Sequence, residues 1–527
     1  MPCLSSVLSS FFAIVDPRSF PPLLICLALA IVLSATCRRR KIQENERKDE
    51  APLPPGPRGF PVVGFLPFLV PNLHQCFMQL ARVHGPIFKL WIGTKLYVII
   101  SSPLLAKQVV QDFDATFANR EPNAAARVFS YGGKDIGFAP YGAQWKTLRK
   151  IFVREMQSPW NLDALYVHRQ VELAKRIEEI EGKVGTPIDV GDLAFRTVIN
   201  MISRMFWGGT LDEHRAVQIG DEFREAVMRL MTIIGKPNVS DFFPVLARFD
   251  VQGIERDMKE VVSWMGEIFE FAIDRRIANA GKAKGGRDFM KILLDYEDEE
   301  TGRSFSLEQI KALLMDVVVG GTGTTTTIIV WTMTELMVNP FALRRVQAEL
   351  SEVVGLDNAV EESHVPRLTY LHAVVKETLR LHPAAPLLLP RSPIETCNVG
   401  GYAIPKGAKV FLNVWVMHID PEYWVDPLAF HPERFLREGM ISADYKGGCP
   451  FYMPFGAGRR ICAGLALGER MLTYIIATFL HLFEWEPPHG RTVDLSERLG
   501  VVLEKLTPLV AVPRIRVHHS EKQEVGE

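Results

Sequence analysis

Cys462 lies in a loop suited to close approach by a ligand: Pro454-Phe455-Gly456-Ala457-Gly458-Arg459-Arg460-Ile461-Cys462-Ala463-Gly464. Glycines at 456, 458 and 464 permit turn conformations closed to other residues and let a flat group come near the backbone. A thiolate presented from such a loop, with N–H groups turned toward sulfur, has a lowered pKa and a tuned electron density. Residues 465–480 have helical spacing, so Cys462 falls near a helix N-terminus, which favours the same anion. Arg460 can meet an anionic group on the ligand. A lone cysteine is most often a small buried hydrophobe. The flanking glycines and arginines weigh against that reading here.

Three further sets of residues have chemistry in their spacing. Glu377 and Arg380, three apart, share one face of a helix; on an exposed helix such a pair contributes only a few tenths of a kcal/mol. Trp145 and Arg149, four apart, set an indole beside a guanidinium, a pairing suited to carboxylates, although a tryptophan by itself is more often core. The apolar segment 307–338 is interrupted by Gly320-Gly321-Thr322-Gly323-Thr324-Thr325-Thr326-Thr327. Mid-helix glycines cost up to about 1 kcal/mol relative to alanine, which indicates a backbone that accommodates a ligand.

The elements that position these residues are mostly helical. The spacing predicts helices over 162–180, 255–277, 307–338 and 371–381. Ser306 with Gln309 forms a capping box at the start of the third, and Pro340 ends it. That helix spans roughly 45–50 Å at 1.5 Å per residue, enough to cross a whole domain. Strands are expected over 87–100, as a hairpin around Gly93-Thr94, and over 398–416. The fold class is therefore mainly α with a minor β-sheet, in one large body over residues 61–516.

The chain has 527 residues, 47% of them apolar, and a formal net charge of −1. That supports a large core and gives no charge excess that points to nucleic acid. The seven cysteines are scattered without a CxxC pair, which fits a reducing, cytosol-facing body. Residues 20–35 are uncharged and are followed by Arg38, Arg39, Arg40 and Lys41. A basic cluster after the apolar run reads as a membrane anchor with the body in the cytosol, not as a cleaved signal peptide. Residues 1–41 are thus a transmembrane anchor helix with its basic cluster, 42–60 a proline-rich hinge, and 517–527 a polar tail.

The spacing Phe455-x-x-Gly458-x-Arg460-x-Cys462-x-Gly464 resembles the haem-binding loop of the cytochrome P-450 superfamily, whose iron is held by a cysteine thiolate. The anchor, the hinge and residues 131–142 look like the plant microsomal branch. The resemblance implies a single large haem domain of the cytochrome P-450 fold. It implies haem b with Cys462 as the axial iron ligand, and it places Phe455 in the haem loop. Arg460, Arg149, Trp145 and Arg391 are implied at the haem propionates. Glu377, Arg380 and Arg434 form the ion network that supports the loop.

Thr324 matches the threonine that the resemblance implies in proton delivery during oxygen activation. The preceding position, an acid in the superfamily, is Gly323 here. Water held by Thr322, Thr324 and Thr325 is the expected substitute. The resemblance places Phe129, Gly320, Leu387, Leu388, Val501 and Val502 at an apolar substrate pocket.

The function implied is an oxidoreductase: a membrane-bound monooxygenase of secondary metabolism that oxidises a small lipophilic molecule. A terpenoid is the first expectation and a phenylpropanoid or flavonoid the second. Electrons come from NADPH through a cytochrome P-450 reductase, at the cytosolic face of the endoplasmic reticulum. Two alternatives stay open: a haem-thiolate isomerase or dehydratase, and a non-catalytic membrane haem protein.

Overall fold

The computed structural model describes residues 51–207, 213–278, 288–297, 302, 304–437 and 445–516. The expected anchor, the first part of the hinge and the polar tail lie outside the described residues. The chain forms two compact units, each gathered from separate stretches. Of the described residues, the first combines 51–124 with 237–254 and 389–413; the second combines those within 125–236, 255–388 and 414–516.

The first unit holds a three-stranded sheet. Strands β1 (Ile87–Ile92) and β2 (Lys95–Ile100) pair antiparallel, and β3 (Lys409–Leu412) joins β2 in parallel, with Tyr97 opposite Lys409. The hairpin turns at Gly93, whose φ is +57° and whose added Cβ would lie 2.6 Å from the Phe242 carbonyl oxygen, so only glycine fits. Strands Cys397–Val399 and Tyr402–Ile404 form a second antiparallel pair around Gly400 and Gly401. The expected strand over 398–416 is thus broken, and its last residues belong to helix Val414–His418. The ladder stops at Asn413, whose backbone N–H donates to Ile100 and whose amide donates to the His74 carbonyl at 2.9 Å. Packing there overrides the β-branched composition. Asn238, in an Asn-Val-Ser triplet, is buried and accepts the Ser240 N–H at 3.0 Å, so it caps a helix.

The second unit is helical. Its site-bearing helices are α1 (Ala143–Ile151), α2 (Val190–Trp207), α3 (Glu213–Ile234), α4 (Leu307–Val338), α5 (Thr369–Leu381) and α6 (Leu465–Leu482). The helix expected over 162–180 is divided at Leu165 into Pro159–Ala164 and Tyr166–Glu181, because Ser158 and Pro159 start an independent short helix. The capping box of Ser306 and Gln309 is formed, and Pro340 doubles as the first residue of the next helix, Pro340–Val354. Helices α4 and α6 have the length and composition of membrane spans, but their apolar windows are 61% and 72% buried. Helices apolar on most faces are core helices. The hairpin of β4 (Glu497–Leu499) and β5 (Leu503–Lys505) packs on α4.

Candidate active site

The Cys462 loop turns on Gly456 and Gly458, with φ of +73° and +65°. It closes when the Cys462 N–H donates to the Phe455 carbonyl at 2.9 Å. Phe455 packs edge-on against Tyr445 at 5.3 Å. Cys462 is exposed, while α6, which begins three residues later, runs into the core. An added Cβ at Gly464 would meet no heavy atom within 4 Å, so there is open space at that position of the loop.

Two guanidinium groups flank Trp145. The Arg460 group lies 4.3 Å and the Arg149 group 5.7 Å from the centre of the indole ring. Trp145 is buried on α1 and donates through Nε1 to the Ile136 carbonyl at 3.0 Å. Arg460 donates to the same carbonyl at 2.9 Å and to that of Ala139 at 2.5 Å. Arg149 reaches the Ile461 carbonyl, next to the cysteine, at 2.6 Å. Burial draws Arg149 below its ordinary pKa, and the Cys462 thiolate partly restores it. Two cations beside one thiolate suit a ligand that carries carboxylates. Arg391 belongs to the first unit. There it exchanges backbone hydrogen bonds with Val410 and lies 3.5 Å from Asp114; burial lowers its pKa to about 10, against the pull of Asp114.

Glu377 and Arg380 on α5 are fully buried, which rules out the exposed-pair reading. Arg380 holds both carboxylate oxygens at 2.8 Å. Arg434 and the His431 N–H converge on Glu377 Oε1 at 3.0 and 2.8 Å. Arg380 also donates to the carbonyls of His418, Pro427 and Ala429. One link from it toward the cysteine runs through a residue that no motif marks. His418 Nε2 accepts the N–H of Met453, just ahead of the loop, at 3.0 Å.

Burial, and then Arg380, push the His418 pKa from 6.5 down to about 3. Burial with Arg204 and Arg169 takes that of His168 to about 4. Both stay neutral in the fold and become protonated only on unfolding, so their contribution is complete above pH 6.5 and lost as pH falls below it. Each group removes up to about 1.4 kcal/mol per pH unit. Urea-unfolding free energies should therefore fall between pH 6.5 and 5; a flat profile contradicts this.

On α4, the spacing i, i+4, i+7, i+8 puts Asp316, Gly320, Gly323 and Thr324 on one face. Gly320 is exposed between two buried stretches of α4, 310–315 and 327–336, and its added Cβ would meet nothing within 4 Å. The Thr324 hydroxyl donates to the Gly320 carbonyl at 2.6 Å. Thr322 is fully buried and lies about 200° around the helix from Thr324. The expected water site shared by Thr322, Thr324 and Thr325 is therefore not on a single face. Met231, on α3, was not marked by any motif. Its Cε would lie 3.4 Å from a Cβ at Gly323.

The other pocket residues come from separate segments. The Leu503 carbonyl accepts Thr327 Oγ1 and Trp331 Nε1, both at 2.9 Å, while its N–H donates to Ala384 at 3.0 Å. These bonds fasten the β4–β5 hairpin and the segment with Leu387 and Leu388 to α4. Leu388 has a φ of +51°, a position that strains a branched residue, and its Cδ1 lies 3.6 Å from a Cβ at Gly456. At the hairpin tip beside Val502, Val501 is exposed and lies 3.5 Å from a Cβ at Gly235, just past α3. Phe129 is buried, edge-on to Phe138 at 5.3 Å.

Gly323→Asp requires only that the flexible end of Met231 move. Stability should change by less than about 0.5 kcal/mol, since aspartate is a slightly better helix residue than glycine. Less of the consumed NADPH should then appear as peroxide. Unchanged peroxide yield means that the missing acid has no consequence.

An accessible thiolate, two adjacent guanidinium groups, and glycine faces with open space at Gly464 and Gly320 fit a flat iron macrocycle with carboxylate side chains. The site thus has the character of a haem-thiolate centre, and when bound the haem supplies oxygen activation. The chain belongs to the cytochrome P450 family, whose model matches residues 54–512. It is 37% identical to a flavonoid 3',5'-hydroxylase of Crocosmia x crocosmiiflora, over 93% of this chain and 96% of that one. It is 40% identical to a flavonoid 3'-monooxygenase of Oryza sativa subsp. japonica, over 88% and 90%. A zebra fish cytochrome P450 structure with progesterone superposes with a TM-score of 0.72 at 26% identity, covering 84% of this chain and 99% of that one. The protein is a haem-thiolate monooxygenase that takes electrons from a partner reductase and acts on a small molecule. That sets aside the isomerase and non-catalytic readings.

Proposed function

We propose that this enzyme hydroxylates a ring carbon of a flavonoid or related phenylpropanoid, with its haem iron on Cys462. The observation that carries the substrate class is identity of 37–40%, over most of both chains, with plant enzymes named for flavonoid hydroxylation. This reverses the order expected from apolar pocket residues alone, which put terpenoids first; such residues select for lipophilic shape and do not separate the two classes. Arg460, Arg149 and Trp145 would hold the haem carboxylates, and Glu377, Arg380 and Arg434 would support the loop. The assignment of Arg391 to a propionate rests on its place after Pro390 in the sequence. Thr324 holds the proton on the open face of α4. Phe129, Gly320, Leu387, Leu388, Val501 and Val502 surround the substrate. The apolar run before Arg38 supports attachment to the endoplasmic reticulum with the body in the cytosol. Optical binding shifts with purified holoprotein test the substrate class. Flavonoids should bind at low micromolar concentration and sesquiterpenes weakly; the reverse order overturns the assignment.

A further inference from the structure

Ile136 joins the two sides of the site through its backbone. Its carbonyl accepts Trp145 Nε1 at 3.0 Å and Arg460 Nη1 at 2.9 Å, and its N–H donates to Asp316 Oδ2 at 2.5 Å. Asp316 stands on the face of α4 that carries Gly320, Gly323 and Thr324, whereas Arg460 belongs to the Cys462 loop. The neighbouring residues are fastened as well: the Phe138 N–H donates to Asp135 Oδ2 at 2.9 Å, and the Ala139 carbonyl accepts Arg460 at 2.5 Å. A Cβ added at Gly137 would lie 3.1 Å from Asp316 Oδ1 and 3.3 Å from Asp135 Oδ2. The two carboxylates therefore close around Gly137, which leaves little room for a side chain there.

We propose that Asp316 is a positioning residue: it holds Ile136 so that Arg460, and through it the Cys462 loop, keeps its orientation relative to the open face of α4. A hydrogen bond from a backbone N–H to a charged acceptor is among the stronger kinds. With its N–H and its carbonyl both engaged, Ile136 cannot rotate either flanking peptide without breaking a bond. Arg460 depends on this because two of its donors end on carbonyls of the same short segment. Asp316 is the α4 residue that takes the Ile136 N–H directly; the other α4 partner of this segment, Glu308, pairs with Lys134 two positions earlier and leaves Ile136 untouched. Its seven-residue separation from Gly323, about 10 Å along the helix, makes it a poor direct substitute for an acid at that position. Holding the loop is the role that the distances support.

The test uses the full-length holoenzyme and three variants. Asp316→Ala removes the acceptor, Asp316→Asn keeps an oxygen without the charge, and Trp145→Phe removes one donor to the Ile136 carbonyl. Backbone hydrogen exchange at Ile136 should become about 10- to 100-fold faster in Asp316→Ala, the range for loss of a charged acceptor, with Asp316→Asn in between. The reduced carbon monoxide spectrum of Asp316→Ala should lose part of its thiolate-ligated form. Adding Trp145→Phe should then change both readouts by less than it does alone, because the two bonds hold the same residue. Exchange at the wild-type rate overturns the proposal. So does faster exchange with an unmoved spectrum, which confines the effect to the segment itself. If Asp316→Ala does not fold, Asp316→Asn decides, and its equality with wild type in both readouts is the contrary result. The exchange readout depends on neither substrate nor turnover, so it stands even if the flavonoid assignment fails.

Discussion

Cys462→Ser should abolish the thiolate-ligated spectrum of the reduced carbon monoxide complex and lower turnover by roughly a thousandfold or more, about 4 kcal/mol in activation free energy. Serine is nearly the same size, and the bond between the residue-462 N–H and the Phe455 carbonyl does not involve the side chain. In the haem-free protein the unfolding free energy should stay within about 0.5 kcal/mol of wild type, because the serine keeps the volume and the backbone bond. A serine hydroxyl stays protonated at neutral pH and is a hard, weak donor where a soft thiolate was present. The change is thus chemical and not structural. A variant that retained the thiolate spectrum would place the iron ligand elsewhere. Among the described residues the other cysteines are Cys76, Cys397 and Cys449, and burial raises the thiol pKa of the first two.

The second large effect is on the fold. Glu377 is fully buried and receives Arg380, Arg434 and the His431 N–H. Glu377→Ala leaves two guanidinium groups in the interior without their shared anion. Removing one partner of a buried ion pair costs about 3–5 kcal/mol. Against a total stability of about 5–15 kcal/mol, that is a large fraction. The variant should accumulate poorly and retain far less haem per protein, because Arg380 also holds the His418 carbonyl and His418 holds Met453 ahead of the loop. Glu377→Gln keeps one acceptor and should fall between the two. Urea unfolding and haem-to-protein ratios check this. Normal haem content in Glu377→Ala shows that the network is not needed to hold the loop.

Much of this was legible from local spacing, and the reason is physical. The glycines and arginines around Cys462, the pair Glu377 and Arg380, and the pair Trp145 and Arg149 each lie within a few residues, so their proximity follows from helix or turn geometry. The capping box at Ser306 is local in the same sense and is formed. Other features depend on partners far along the chain. Ile136 meets Asp316 across 180 positions, and His418 meets Met453 across 35. No motif marks either pair. The two units were hidden because each is gathered from separate stretches, with no linker where the chain passes between them. Residues 414–416 have strand composition but follow Asn413, whose hydrogen bonds end the ladder. Phe129, Leu387 and Val502 do not separate a terpenoid from a flavonoid, because apolar side chains suit many ligands.

Isotopic oxygen labelling tests the central claim most directly. The full-length protein in microsomes, with a plant NADPH–cytochrome P450 reductase and a flavonoid carrying a single B-ring hydroxyl, is supplied with 18O2. A haem-thiolate monooxygenase of the kind described yields a product with one added hydroxyl that carries one 18O atom, and forms none when NADPH is left out or Cys462 is replaced. A hydroxylated product formed at the same rate by Cys462→Ser, or one whose new oxygen comes from water, contradicts the account.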